Sequence, residues 1–215
     1  MAGVATRAGH PGAGGDLPSR EAAWQLVCEW VQSDSLRKHL LAVEAAMRRM
    51  AERAGGDPDR WGLAGLVHDL DWERYPTRED HPYRGVEALR QAGFPEDIVH
   101  AVLAHADYTG TARESDMDRA LYAVDELTGL ITAAALVRPD HSLRTLEVKS
   151  VVKKMKEKRF AAGVDRQTIE VGAQELGLTV PELTAEALAA MQGIADQLGL
   201  AGEPGQPAEK TVTSS

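Results

Sequence analysis

Between Ser19 and Leu200 apolar residues recur at three- and four-residue spacing, the pattern of helices that each bury one face. The clearest stripe is Leu36, Leu40, Val43, Met47 and Met50, ended by Gly55-Gly56-Asp57-Pro58. Ser19 is placed to cap an earlier helix through Trp24, Val27 and Val31, which Ser33-Asp34-Ser35 breaks. A short helix starting near Asp59 carries the run Leu63-Ala64-Gly65-Leu66-Val67-His68-Asp69-Leu70-Asp71, and a polar loop follows from Asp71 to Asp80. His81-Pro82 opens the next helix, with proline at the favoured first position, and Gly93 closes it. Pro95 starts a helix holding Ile98, Ala101, Val102 and His105, and Tyr108-Thr109-Gly110 is a loop. Asp116 or Asp118 opens a helix through Leu121, Val124, Asp125, Thr128 and Ile131, and Pro139-Asp140 breaks the chain again. Three shorter helices are predicted near 145–160, 165–176 and 180–199, with no strand, internal repeat or domain boundary. The expectation is an all-α fold, a single helical domain over residues 19–200. Unpatterned tails at 1–18 and 201–215 are expected to be disordered.

Composition agrees with that pattern. Hydrophobic residues at 43% and charged residues at 27% are ordinary for a globular protein, and 215 residues suit one domain. Aromatics at 5%, beside abundant Ala and Leu, favour helices over sheets. A net charge of −9 argues against a nucleic acid duplex or an anionic membrane as partner. A small anionic substrate stays compatible, because a bound cation inverts the local field. No run of about 20 apolar residues exists to span a membrane. The N-terminal stretch lacks the apolar core of a secretory signal. Cys28 is the sole cysteine, so no intrachain disulfide forms, which suits a cytoplasmic location.

Candidate chemistry lies where polar residues interrupt apolar faces. His68 and Asp69 end an apolar run, a position that costs free energy unless the pair is satisfied. His39 follows Leu36 by three residues and precedes Val43 by four, so it sits on the buried stripe. Asp125 follows Leu121 by four, and His105 follows Ile98 by seven, so both also point inward. A lone inward histidine is usually a hydrogen-bonded core residue. Two carboxylates buried together repel unless a cation lies between them. Imidazole with carboxylate suits Mn, Fe, Co, Ni or Zn better than Ca or Mg. His81 reads equally as an N-cap beside Pro82 and as a ligand, while His100 faces another side, His141 sits in a loop and His10 lies in the tail.

His39, then His68-Asp69 after 29 residues, then Asp125 after a further 56, resembles the HD superfamily of metal-dependent phosphohydrolases. From about Ser35 to Leu198 the chain is similar to small stand-alone bacterial HD hydrolases. The likeness is carried by Lys38-His39-Leu40-Leu41-Ala42-Val43-Glu44-Ala45-Ala46-Met47, by Trp61 to Asp71, and by Ala120 to Leu130. Ala133 to Asp140 and Phe160 to Val164 add to it. The resemblance implies an HD-type helical bundle with additional C-terminal helices. It also implies a first ion on His39, His68, Asp69 and Asp125. Some HD proteins carry two further histidines between the HD pair and the last aspartate. Here His81 and His105 stand in that order, with Asp69 as the bridge to a second ion.

The implied activity is hydrolysis of a small phosphorylated metabolite, a nucleotide among the candidates, by metal-activated water. Asp69 would help orient the water. Asp71 and Glu73 are candidates for acid or base work, against a plain reading as a solvated loop. Lys38, Arg84 and Lys153 are candidate phosphate contacts, Lys153 within the basic segment Lys149, Lys153, Lys154, Lys156, Lys158 and Arg159, which otherwise reads as a solvated face. Two alternatives stand beside this reading. One is a mixed-valent di-iron oxygenase cleaving a C–C or C–P bond, as in some six-ligand HD proteins. The other is a regulatory metal-binding module. A homodimer is as compatible with the pattern as a monomer.

Overall fold

The computed structural model describes residues 17–202. Over that span there are ten α-helices: α1 (Arg20–Trp30), α2 (Asp34–Ala54), α3 (Pro58–Val67), α4 (Tyr83–Gln91), α5 (Glu96–Ala104), α6 (Asp116–Leu136), α7 (Val148–Met155), α8 (Arg166–Glu175), α9 (Val180–Gly193) and α10 (Ala195–Leu198). The all-α expectation holds: among the described residues no strand forms beyond one isolated bridge. No described helix is long and apolar enough to cross a membrane. The expected tails at 1–16 and 203–215, with His10, lie outside the described residues. Ala201, expected to open the C-terminal tail, instead pairs antiparallel with Ser142, while the Leu143 N–H donates to the Leu200 carbonyl at 2.8 Å.

The helices start where short polar side chains can take up free N–H groups. Ser19 accepts from Ala22, Ser33 from Leu36, and Asp57 from Asp59 and Arg60. Ser115 with Asp118, and Thr179 with Glu182, form capping boxes. Ser115 is therefore the N-cap of α6, which opens at Asp116, the first of the two expected positions, and Asp118 is its third helical residue. Pro82 sits at the N-cap of α4, one place before the expected first helical position. The helix expected over 145–160 shortens to α7, because the chain turns at Lys156 and stays in turns to Val164. The Arg166 guanidinium organises that turn segment, donating to the carbonyls of Met155, Glu157, Ala161, Val164 and, most closely, Phe160.

The two 21-residue helices α2 and α6 form the centre. α2 packs against α3, α6 and α9, and α6 against α5, α8 and α9. Leu40, Val43, Met47, Leu66, Leu121, Leu127 and Ile131 are fully buried between them. Each such side chain contributes roughly 1.5–3 kcal/mol of hydrophobic stabilisation. Two glycines set the closeness of the packing. A Cβ on Gly65 would lie 2.9 Å from the Val43 carbonyl oxygen, so only glycine lets α3 approach α2 this closely. A Cβ on Gly172 would lie 2.6 Å from the Cα of Ala123, and α8 meets α6 there. These contacts bring the end of α3 against α2 and the middle of α8 against α6.

Candidate metal centre

His39 projects from α2, Asp125 from α6, and His68 and His105 are the C-cap residues of α3 and α5. Asp69 lies in the turn just past His68, so the pair closes α3 instead of extending it. A helix end leaves carbonyls without partners. His68 and His105 each use Nδ1 to satisfy one, donating to Gly65 at 2.9 Å and Val102 at 2.5 Å. His81, buried at the foot of α4, donates from Nδ1 to Asp71 Oδ1 at 2.7 Å. A carbonyl or an ionised carboxylate only accepts, so in all three rings Nδ1 carries a proton and Nε2 is the nitrogen left to face the centre.

Those Nε2 atoms converge. The ring centroids of His39 and His68, of His68 and His105, and of His105 and His81 are 5.2, 5.3 and 5.3 Å apart. Asp125 Oδ1 lies 3.0 Å from His39 Nε2 and 3.4 Å from His68 Nε2. Asp69 divides its two oxygens: Oδ2 faces His68 Nε2 at 3.7 Å, while Oδ1 faces His81 Nε2 at 3.3 Å and His105 Nε2 at 3.6 Å. Ligand atoms on one transition-metal ion lie about 3–3.5 Å from one another. Two groups approach that spacing, His39-His68-Asp69 and Asp69-His81-His105, each with its ligand atoms within 4.8 Å of one another and with Asp69 common to both.

The residues present fit such ions. His68 Nε2 is the one buried side-chain nitrogen or oxygen among the described residues without a hydrogen-bond partner. An unpaired buried polar atom is costly, and here it points at the centre. The electrostatics agree. Burial disfavours a charged His68, yet Asp69 and Asp125 override it and push the imidazole up to about 9. Burial likewise opposes ionised Asp69 and Asp125. The imidazoles of His68 and His105 hold the first, and those of His68 and His39 the second, below the usual carboxylate range. The cluster demands positive charge, which a divalent ion satisfies.

Several expected site residues lie elsewhere. Asp71 is fully buried and takes no place on the cavity wall: Oδ1 accepts from His81 and Oδ2 from the Gly85 N–H at 2.6 Å. It orients the His81 ring, and both its oxygens are committed away from the cavity. Glu73 accepts from the N–H groups of Gln32 and Ser33 ahead of α2, a structural tie. Lys38 pairs with Asp34 at 2.7 Å, one turn back on α2, and Arg84 with Asp80 at 3.1 Å, four residues back in the turn ahead of α4. Lys153 is exposed on α7, and none of the three cations lines the cavity over the centre. His100 lies away from the centre as expected, half-buried, with its Nδ1 pairing with Asp118 at 3.1 Å. His141 is exposed in a loop, as expected.

The cavity over the centre measures about 490 Å³ and its walls include His39, Asp69, His81, His105 and Asp125. Sequence reasoning missed the remaining wall. Trp72 and Tyr108 line it while 42% and 38% exposed, and Arg78 carries the one positive side chain among the described lining residues. Trp72 stands edge-on to His81 with centroids 4.9 Å apart. The Arg78 guanidinium lies 5.3 Å from the Tyr108 ring centroid. Tyr122 donates its hydroxyl to Asp107 at 2.8 Å, and Arg113 lies over its ring. Glu126 accepts from the Asp165 N–H at 3.1 Å; burial, then Asp125, push its carboxyl up to about 7. The only hint of these residues in the sequence was the clustering of scarce aromatics around the histidines.

Compared with known proteins, residues 36–137 match the family model of the HD domain. That segment contains His39, His68, Asp69, His81, His105 and Asp125. No solved structure matches the chain.

Proposed function

The chain belongs to the HD superfamily, and on that premise we propose that it is a metal-dependent phosphohydrolase acting on a small phosphorylated metabolite. Proteins with this domain are generally metal-dependent hydrolases, and the histidine–aspartate cluster fits metal binding. The observation that carries the reading is Asp69. It turns one oxygen to each of two ligand groups at the floor of a cavity open to a small molecule. His39, His68, Asp69 and Asp125 would hold one ion, and Asp69, His81 and His105 a second. Bound there, such ions lower the pKa of water toward neutrality and offset charge on phosphoryl oxygens. The chain contributes preorganisation: Gly65, Val102 and Asp71 hold three rings with Nε2 inward, so no reorientation is needed on binding.

The test joins elemental analysis with a panel of nucleotides and sugar phosphates. We expect Mn, Co, Fe, Ni or Zn at one or two ions per chain, with phosphate release from a subset of the panel. Asp69→Ala should lose both the ions and the activity while far-UV circular dichroism retains the helical signal. Wild-type metal content in Asp69→Ala would refute the assignment.

The second ligand group favours one other reading, an oxygen-dependent cleavage of a C–C or C–P bond at two irons. Two irons per chain with oxygen-dependent turnover, and no phosphate release, would select it.

A further inference from the structure

The cavity walls beyond the ligand cluster are unlike the rest of the molecule. The chain has four Trp, four Tyr and two Phe in 215 residues, yet three of these ten line this one cavity. Tyr122 is buried, with its hydroxyl committed to Asp107, so it is wall. Trp72 and Tyr108 instead leave large ring surfaces uncovered at the opening. A large aromatic left to water beside a polar site is a surface suited to stacking.

The charge distribution is lopsided as well. Arg78 makes no ion pair or hydrogen bond with a described residue and rests over the Tyr108 ring, whereas Arg84, Arg90 and Arg113 are all tied to carboxylates. The remaining charged walls are acidic: Asp107, Glu126 and Asp165 stand beyond the ligand carboxylates. Arg113 and Tyr122 compensate Asp107, and the start of α8 compensates Asp165, but among the described residues no Lys or Arg pairs with Glu126. A phosphate at the ligand cluster finds one guanidinium to grip it. A second or third phosphate would meet carboxylates.

We propose that the substrate is a phosphomonoester whose alcohol carries a planar ring. Arg78 grips the phosphate, and Trp72 and Tyr108 hold the ring. This rests on the phosphohydrolase reading. In the reaction, water adds to phosphorus and the P–O bond to the alcohol breaks. The alcohol leaves with a proton, and inorganic phosphate is the second product. A volume of about 490 Å³ accommodates a ring, a sugar-sized linker and one phosphate.

The test compares adenosine 5′-monophosphate, adenosine 5′-triphosphate and ribose 5-phosphate on the metal-loaded full chain. We expect kcat/KM for the monophosphate to exceed that for each of the others at least tenfold. Trp72→Ala or Tyr108→Ala should lower the preference for the monophosphate over ribose 5-phosphate about tenfold, and Tyr108→Phe should restore it. Arg78→Ala should raise KM for the monophosphate about tenfold or more, with Arg78→Lys recovering part. Quenching of tryptophan fluorescence by adenosine monophosphate gives a readout separate from turnover, and it should fall in Trp72→Phe. Equal or better turnover of the triphosphate, or equal losses on all three esters in the ring variants, would overturn the proposal. Release of phosphate from no ester would overturn the phosphohydrolase reading and this proposal with it. Release with the wrong preference overturns this one alone.

Discussion

Asp71 is two residues from Asp69, yet its role is fixed by what it touches. It is fully buried and its two oxygens accept from His81 Nδ1 at 2.7 Å and from the Gly85 N–H at 2.6 Å. Asp71→Asn preserves shape and leaves one acceptor oxygen for two donors. The amide NH2 must then face either His81 Nδ1–H or the Gly85 N–H, donor against donor. A hydrogen bond to a charged group contributes about 1.5–3 kcal/mol, and the stranded buried donor adds a desolvation penalty. Part of that loss appears as stability and part as freedom of the His81 ring. Loss of a partner behind a metal-bound histidine typically lowers metal affinity 10–100-fold, about 1.4–2.7 kcal/mol. The ion on Asp69-His81-His105 should therefore weaken by that factor. The ion on His39-His68-Asp69-Asp125 should not, because none of those rings leans on Asp71. Calorimetric titration with Mn²⁺ or Co²⁺, with ion counts after desalting, reads the two sites separately. In the His81→Ala background Asp71→Asn should add little, since it acts through that ring. Undiminished affinity at both sites in a folded Asp71→Asn would refute the reasoning. So would equal weakening of both.

Gly65→Ala places a Cβ 2.9 Å from the Val43 carbonyl oxygen, and α3 must move off α2. Overpacking of this kind costs about 1–3 kcal/mol, so a lower Tm and weaker metal retention at His39 and His68 are expected; unchanged thermal unfolding would contradict the packing argument. Lys38→Ala, Arg84→Ala and Lys153→Ala should each leave turnover within about twofold, because their ammonium and guanidinium groups lie away from the cavity and surface ion pairs contribute little. A tenfold loss in any of them would restore it to the site. The metal-free protein should lose stability as pH rises from 6.5 to about 9. Although burial opposes the charge, Asp69 and Asp125 keep a proton on folded His68 that the unfolded chain has released over that window. The contribution is complete below pH 6.5, amounts to about 3 kcal/mol at most, and is gone above about 9. Loaded protein should show the opposite trend, since a ligand histidine must give up its proton. Scanning calorimetry with and without chelator checks both signs, and a metal-free Tm that climbs with pH would refute this one.

Much of the fold and of the ligand set was legible because both follow local rules. Helical periodicity placed His39 and Asp125 on buried faces, and the polar pair after an apolar run marked His68 and Asp69. Capping chemistry placed Ser19 correctly and α6 opens at Asp116 as expected, but the Ser115 cap went unread, since Asp116 and Asp118 offered equally good local signals. The end of α7 was missed because the lysines repeat past Lys156 while the chain turns around Arg166, which follows in the next helix. Periodicity says which face is inward; it does not say which neighbouring side chains that face meets.

What the sequence determined by itself was therefore an all-helical domain and the residue types of a metal centre. The tertiary structure alone decided how those residues are used. Asp69 serves two ligand groups because α3 ends against α2 at Gly65, while α4 and α5 deliver His81 and His105 to its other oxygen. Asp71 went behind His81, and Lys38, Arg84 and Lys153 went to the surface, while Arg78 took the cavity wall. The physical reason is reach. A charged side chain on a helix is drawn to the carboxylate one turn away unless the packing of distant segments gives it something else to face.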